Sequence, residues 1–269
     1  MEEGAVDRIA RLAVEAAKAN RLNTDTPAVL VNGSVVSLES LHANRSRFRG
    51  SFVTPDLREF AAYIESSQLK DQCAIFVNGE LLKASAYLNI GTQEEPGHCD
   101  WRAVLDVEYS AEMKAVYNIT NGKTSQRDLS DWIEDWQHIL SGRASDGTEL
   151  DAKQMVAAIR AVKVNSSGEV ANVERDFGGS RSAFEDVEAS SKAGKLPAII
   201  TANLSPAQGF GSRAISLRVS ILTGEEKPRF VLRIIAKDLL DQQLAAELVE
   251  LIRKELGGLE SVRVGNFSP

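Results

Sequence analysis

The chain has little of what marks a secreted, membrane-spanning or catalytic protein. It holds two cysteines, Cys73 and Cys99, in 269 residues. Two thiols build no disulfide framework, and Cys73 lies in a strongly apolar, strand-like run. A reduced, cytoplasmic setting follows. No apolar run approaches the roughly 20 residues that cross a bilayer. The opening Met-Glu-Glu-Gly is acidic, the reverse of a secretory leader. Aromatics make up only 6% of the residues, and basic charge is not in excess, the net charge being -7. A protein that binds nucleic acid over its whole surface is usually basic. Any phosphate contact here must therefore come from a local patch.

What is present describes an ordinary globular protein, 43% hydrophobic and 26% charged. The length suits one large domain or two ordinary ones. Charge is uneven. Residues 1–150 carry 15 Lys+Arg against 23 Asp+Glu, while residues 151–269 carry 16 against 15. An acidic first half can face a basic partner surface.

Residues 5–20 have helical spacing, with Val6, Ile9, Ala10, Ala13 and Val14 on one stripe. Two apolar runs meet at Asn32-Gly33 and two more at Asn78-Gly79, each the signal of a β-hairpin. Thr54 or Asp56 caps a short helix with Leu57, Phe60, Ala61 and Ile64. Residues 87–90 and 104–109 read as strands, and 115–119 as extended or helical. A clear helix begins at Thr124 or Ser125. It carries Leu129, Trp132, Ile133, Trp136, Ile139 and Leu140 on its apolar face, and Ser141-Gly142 should end it. Residues 150–162 read as another helix, 165–196 as polar with weak strand signals, and 196–204 as a strand. Residues 215–221 alternate cleanly, turn at Thr223-Gly224 and pair with 230–235. Asp238 should cap a last helix that Gly257 stops, leaving a loose tail. Strands and helices are segregated, so the class is α+β, with mainly antiparallel sheets and amphipathic helices packed on them. Residues 142–148 are the best boundary, which gives two α+β halves, 1–145 and 146–269.

The most legible chemistry is in residues 42–50, His-Ala-Asn-Arg-Ser-Arg-Phe-Arg-Gly. In a strand, Arg45, Arg47 and Arg49 would share one face at about 6.6–6.8 Å spacing. Guanidinium groups so placed suit phosphates or carboxylates, and Phe48 and Phe52 could stack on bases. The competing reading is internal charge balance in the acidic half. Asp131, Glu134 and Asp135, with Asp128 in the first turn, form an acidic helix face. Its plain reading is a solvated surface, or a surface for a basic partner. Trp132 and Trp136 read as core.

Other patterns carry less. His98-Cys99-Asp100 lacks the third partner of a nucleophilic site and the second pair of a zinc site. Asp106 with Glu112-Met113-Lys114 loosely resembles the acid and acid-x-Lys pattern of metal-dependent nucleases. A glycine pattern at 209–214 precedes a strand, which rules out a dinucleotide fingerprint. No catalytic, cofactor-binding or metal-ligating residue is assigned, and no cofactor.

The order of these features resembles a known family. Leu38-Glu39-Ser40-Leu41 is followed by the arginine stretch ending at Gly50, then by Phe60 with Tyr63. Next come His98-Cys99-Asp100-Trp101-Arg102-Ala103 and Thr124-Ser125-Gln126-Arg127-Asp128-Leu129 with Trp132, Glu134 and Asp135. This is similar to the YfdQ-like phage and prophage proteins, domain of unknown function 2303, over roughly residues 25–235. The resemblance implies a cytoplasmic accessory protein of a bacterial host and brings no catalytic residues. The leading expectation is a non-enzymatic protein that binds host or phage proteins, in host-defence interference or early DNA metabolism. The alternative is a single-stranded nucleic-acid binder using Arg45, Arg47 and Arg49. A metal-dependent nuclease is third. No membrane association is expected, and a homo-oligomer is allowed.

Overall fold

The computed structural model describes residues 3–19, 28–31, 34–67, 73–162, 194–222, 228–257 and 262–269. In chain order its elements are α1 (Glu3–Ala19), β1 (Ala28–Val31), β2 (Ser34–Ser37), a 3-10 turn (Glu39–Leu41), β3 (Gly50–Thr54), α2 (Leu57–Ser66), β4 (Ala74–Asn78), β5 (Lys83–Tyr87) and β6 (Trp101–Asp106). There follow α3 (Ala111–Thr120), β7 (Lys123–Ser125), α4 (Gln126–Asp135), β8 (Leu140–Ala144), β9 (Glu149–Leu150) and α5 (Ala152–Ala161). The chain ends with β10 (Pro197–Leu204), β11 (Arg213–Leu222), β12 (Arg229–Ile234), α6 (Lys237–Glu255) and β13 (Val262–Val264).

The class is α+β. The first main sheet has the order β13-β4-β5-β6-β3 and the second β7-β12-β11-β10-β8-β9, while β1 and β2 pair only with each other. The second sheet is antiparallel throughout. In the first, β4, β5 and β6 are antiparallel, but the edge strands β3 and β13 run parallel to their neighbours. Alternation decides which face each strand buries. In β11, Ile215, Leu217 and Val219 are buried, whereas Ala214, Arg218 and Ser220 are exposed. Helix α2 lies against β3, β6 and α6, while α3, α4 and α5 cover the inner face of the second sheet. One continuous cluster of buried side chains, from Phe60 to Val262, joins both sheets. Residues 145 and 146 lie in the turn between β8 and β9, both strands of the second sheet. No helix among the described residues is long and apolar enough to cross a membrane.

Capping follows the sequence in most places. Asp56 caps α2 by accepting from the backbone of Arg58 and Glu59, and Ser125 caps α4 by accepting from Asp128. At α6 the cap position is Ala236, in a left-handed conformation with φ 53°, and no side chain caps the helix. Asp238 instead sits within the first turn, where its charge meets the positive end of the helix.

Three other expectations are corrected. Helix α4 ends at Asp135; Ile139 lies in the turn that follows and Leu140 opens β8. Its last turn closes through Trp136 N–H on the Trp132 carbonyl at 3.1 Å, and the Ile139 carbonyl then accepts from Asn203 of β10 at 2.9 Å. Gly142 is thus an inner strand residue. A Cβ there would stand 2.3 Å from Met155 Sδ, so any side chain at this position has to push the buried Met155 side chain of α5 aside. At Asn78-Gly79 the hairpin exists but the turn is wider, with Asn78 opposite Lys83. The Asn78 side chain accepts from Leu81 N–H at 3.1 Å, and Leu82 adopts φ 49° and is buried rather than extending a strand. The tail is not loose. Val262–Val264 pairs with β4, and Phe267 stacks on Phe76 at 4.8 Å and takes a hydrogen bond from Tyr87 Oη on its carbonyl. Asn32, Gly33, Thr223, Gly224 and most of 165–196 lie outside the described residues.

Candidate functional site

The arginine segment lies at the edge of the first sheet, just before β3. It is not a strand. The ladder begins at Gly50, opposite Trp101, and residues 42–49 wind irregularly towards it. The three arginines therefore do not share a strand face, and each meets a different environment.

Glu39 organises the segment. It is buried at 7% exposure and accepts from Ser46 N–H at 3.2 Å, from Ser46 Oγ at 3.1 Å and from Arg49 in an ion pair. Arg47 pairs with Asp100. Asp100 also accepts from Asn89 Nδ2 at 2.9 Å, and Asn89 Oδ1 accepts from Trp101 N–H at 3.0 Å. Arg45 is exposed and makes no ion pair among the described residues. Phe48 packs its ring 4.6 Å from Trp101 yet stays 64% exposed. Beneath it, Trp101 Nε1 donates to Tyr63 Oη at 3.1 Å, and Tyr63 stacks on Phe52 at 4.6 Å. Glu39, the arginines, Tyr63 and 98–102 are far apart in sequence, but the structure brings them to one corner.

The electrostatics are those of a closed network. Burial pushes the Glu39 carboxyl up, but the two Ser46 hydrogen bonds and the Arg49 guanidinium outweigh it, and the net direction is down. The hydrogen bond from Arg47, helped by Asn89, holds Asp100 below its usual value against a smaller push from burial. Groups with lowered folded pKa stabilise above the ordinary carboxylate range and lose that contribution as pH falls through the lowered values. Acid should therefore free residues 38–49 first. The Trp101 indole N–H resonance is expected to shift before global unfolding on acid titration. If it moves only with global unfolding, the network does not hold the segment.

The other candidates are dispersed. On α4, Asp128 bonds back to the Ser125 cap, Asp131 meets Arg127 at 3.5 Å, and Arg160 of α5 meets Glu134 at 2.9 Å and Asp131 at 3.6 Å. Asp135 is exposed, without an ion pair among the described residues. Much of this acidic face is thus answered by arginine. Trp132 is buried and Trp136 half-buried against the core. Asp106 pairs with Lys83 at 2.8 Å, whereas Lys114 pairs with Glu108 at 3.2 Å, so the nuclease-like residues turn to different partners. Among the described residues no group of three or more His, Cys, Asp or Glu is placed to hold a metal.

Two features escape a linear reading. Glu39 in Leu-Glu-Ser-Leu looks like a surface residue until Ser46 and Arg49 fold over it. Arg143, Arg218 and Arg233 lie on three separate strands of the second sheet, and only the register aligns them. Alternation in 215–221 does put Arg218 on the wet face, which was the available signal.

No curated protein and no solved structure is significantly similar to this chain. A family model described as an uncharacterized conserved protein, DUF2303, matches residues 2–267, so the chain belongs to the DUF2303 family.

Proposed function

We propose that this is a non-enzymatic accessory protein of a phage or prophage, working in the bacterial cytoplasm by binding a protein partner. The observation that carries this reading is the unburied stripe of α1. Val6, Ile9, Ala10, Ala13 and Val14 are all exposed, Val6 at 65% and Ile9 at 67%. In a folded monomer such a stripe normally turns to the core. Exposed as a continuous row, it suits an apolar groove on another chain. The hairpin that follows in sequence also exposes Val35 and Val36. The acidic face of α4 gives weaker support, since Arg127 and Arg160 engage it. The single-strand reading through Arg45, Arg47 and Arg49 is likewise weakened, because Asp100 and Glu39 engage two of the three.

The test is a paired capture. Tagged wild-type chain, recovered from cells that carry its gene, should retain one protein at stoichiometric yield. Val6→Asp with Ile9→Asp should lose it without change in thermal unfolding, since both side chains are exposed. Light scattering of the purified chain separates a second copy from a foreign partner. Identical lanes for wild type and variant would sink the proposal.

A further inference from the structure

The outer face of the second sheet carries a row of cations that no carboxylate answers among the described residues. In the ladder, Arg143 of β8 stands opposite Ile199 of β10, Ile199 opposite Arg218 of β11, and Arg218 opposite Arg233 of β12. Residues directly opposite project to the same face, and all three arginines are exposed. Strands lie about 4.8 Å apart, so the row spans about 14 Å. None of the three forms an ion pair among the described residues. By contrast, Arg47, Arg49, Arg127, Arg160, Arg213 and Arg253 all reach carboxylates. Glu149 is the one acid among the strand residues of this face. It stands opposite Arg143 at the sheet edge without bonding to it.

Two details make this more than a solvated surface. Like charges directly opposite in a ladder are destabilising, and Arg218 opposite Arg233 is such a pair. It persists in a chain with 38 acidic residues available to relieve it. The flanking row consists of hydroxyls. Ser141, Thr201 and Ser216 align across β8, β10 and β11. A groove of about 780 Å³ opens beside them, with Ser141, Arg143, Thr201 and Lys153 in its wall together with the acids Glu149 and Asp151. Guanidinium and hydroxyl donors in parallel rows match the non-bridging oxygens of a phosphate backbone.

We propose that this face binds duplex DNA through its phosphates, with Arg143, Arg218 and Arg233 as the principal contacts. The face favours a duplex over a single strand because its outward residues in these rows are Arg, Ser, Thr and Ile, with Glu149 at the sheet edge. It offers no ring on which an unpaired base could stack. Duplex RNA of the same length, whose 2′-hydroxyls the Ser and Thr row can also meet, is the competing ligand that the titration separates. Contacts of this kind position a protein on DNA without reading its sequence.

The test is a titration of the full chain with a random 30-base-pair DNA duplex at several salt concentrations. Three phosphate contacts predict a slope of log affinity on log salt of about -2.7, or about 40-fold weaker binding at 200 than at 50 mM. The triple variant R143A/R218A/R233A should lose at least about tenfold in affinity at 50 mM and most of that slope. Its thermal midpoint should hold or rise, because a repulsive pair is gone. Arg45→Ala, an exposed arginine elsewhere, should change nothing. The proposal is overturned by no duplex binding at 50 mM, by a triple variant that binds like wild type, or by tighter binding of single strands or RNA.

Discussion

Gly97→Ala should lower the stability of the chain by about 3 kcal/mol, the upper part of the range for overpacking. A Cβ at this position would stand 1.9 Å from the Asn89 carbonyl oxygen and 2.8 Å from two backbone carbons. No side-chain tip is there to rotate away. The backbone around it is also tied. Gly97 N–H donates to Ile90 O at 2.8 Å, and Cys99 N–H donates to Asn89 O at 3.3 Å. Asn89 is the residue whose side chain holds both Asp100 and Trp101 N–H, so displacement there travels to Arg47. The expected thermal shift is roughly 6–12 °C downward, at 2–4 °C per kcal/mol for a chain of this size. Trypsin should also cut after Arg47 and Arg49 faster than in wild type. A midpoint within about 2 °C of wild type, with an unchanged cleavage pattern, would mean the 89–101 loop absorbs the methyl and does not set the arginine corner.

The same corner shows where a linear reading stops. The antiparallel meanders were legible, because alternation in β11 and β12 and the caps at Asp56 and Ser125 are local signals. The parallel edges were not. β3 pairs with a strand about fifty residues on, and β13 with one nearly two hundred residues back. Such pairing leaves no local period. The end of α4 was hidden for a related reason. Ile139 and Leu140 keep helical spacing past the break, since the strand that follows buries Leu140 as a longer helix would have. At the site, the residue types were visible but their partners were not. Three arginines two apart imply a strand, yet Glu39 and Asp100 draw Arg49 and Arg47 apart and leave Arg45 exposed, with no ion pair among the described residues. Ion pairs of this sort depend on loop geometry, which residue spacing does not encode.

Leu248→Ala in α6 should cost about 3–4 kcal/mol, as expected for a leucine at 1% exposure whose removal leaves a cavity. The larger consequence concerns how the two sheets share stability. Helix α6 begins directly after β12 of the second sheet. At mid-length Glu247 pairs with Arg213 at the start of β11 and accepts from Gly211 N–H at 2.7 Å. It packs on α2 of the first sheet and leads into β13, which completes that sheet. A brace anchored at both ends should make the sheets unfold together. Urea transitions read by Trp101, beside β3, and by Trp132 and Trp136 on α4 should coincide in wild type. Leu248→Ala should move both by the same amount. A Trp101→Phe background isolates the α4 signal, and a Trp132→Phe, Trp136→Phe background isolates Trp101. If only the Trp101 transition moves, the two sheets are independent folding units, and α6 belongs energetically to the first alone.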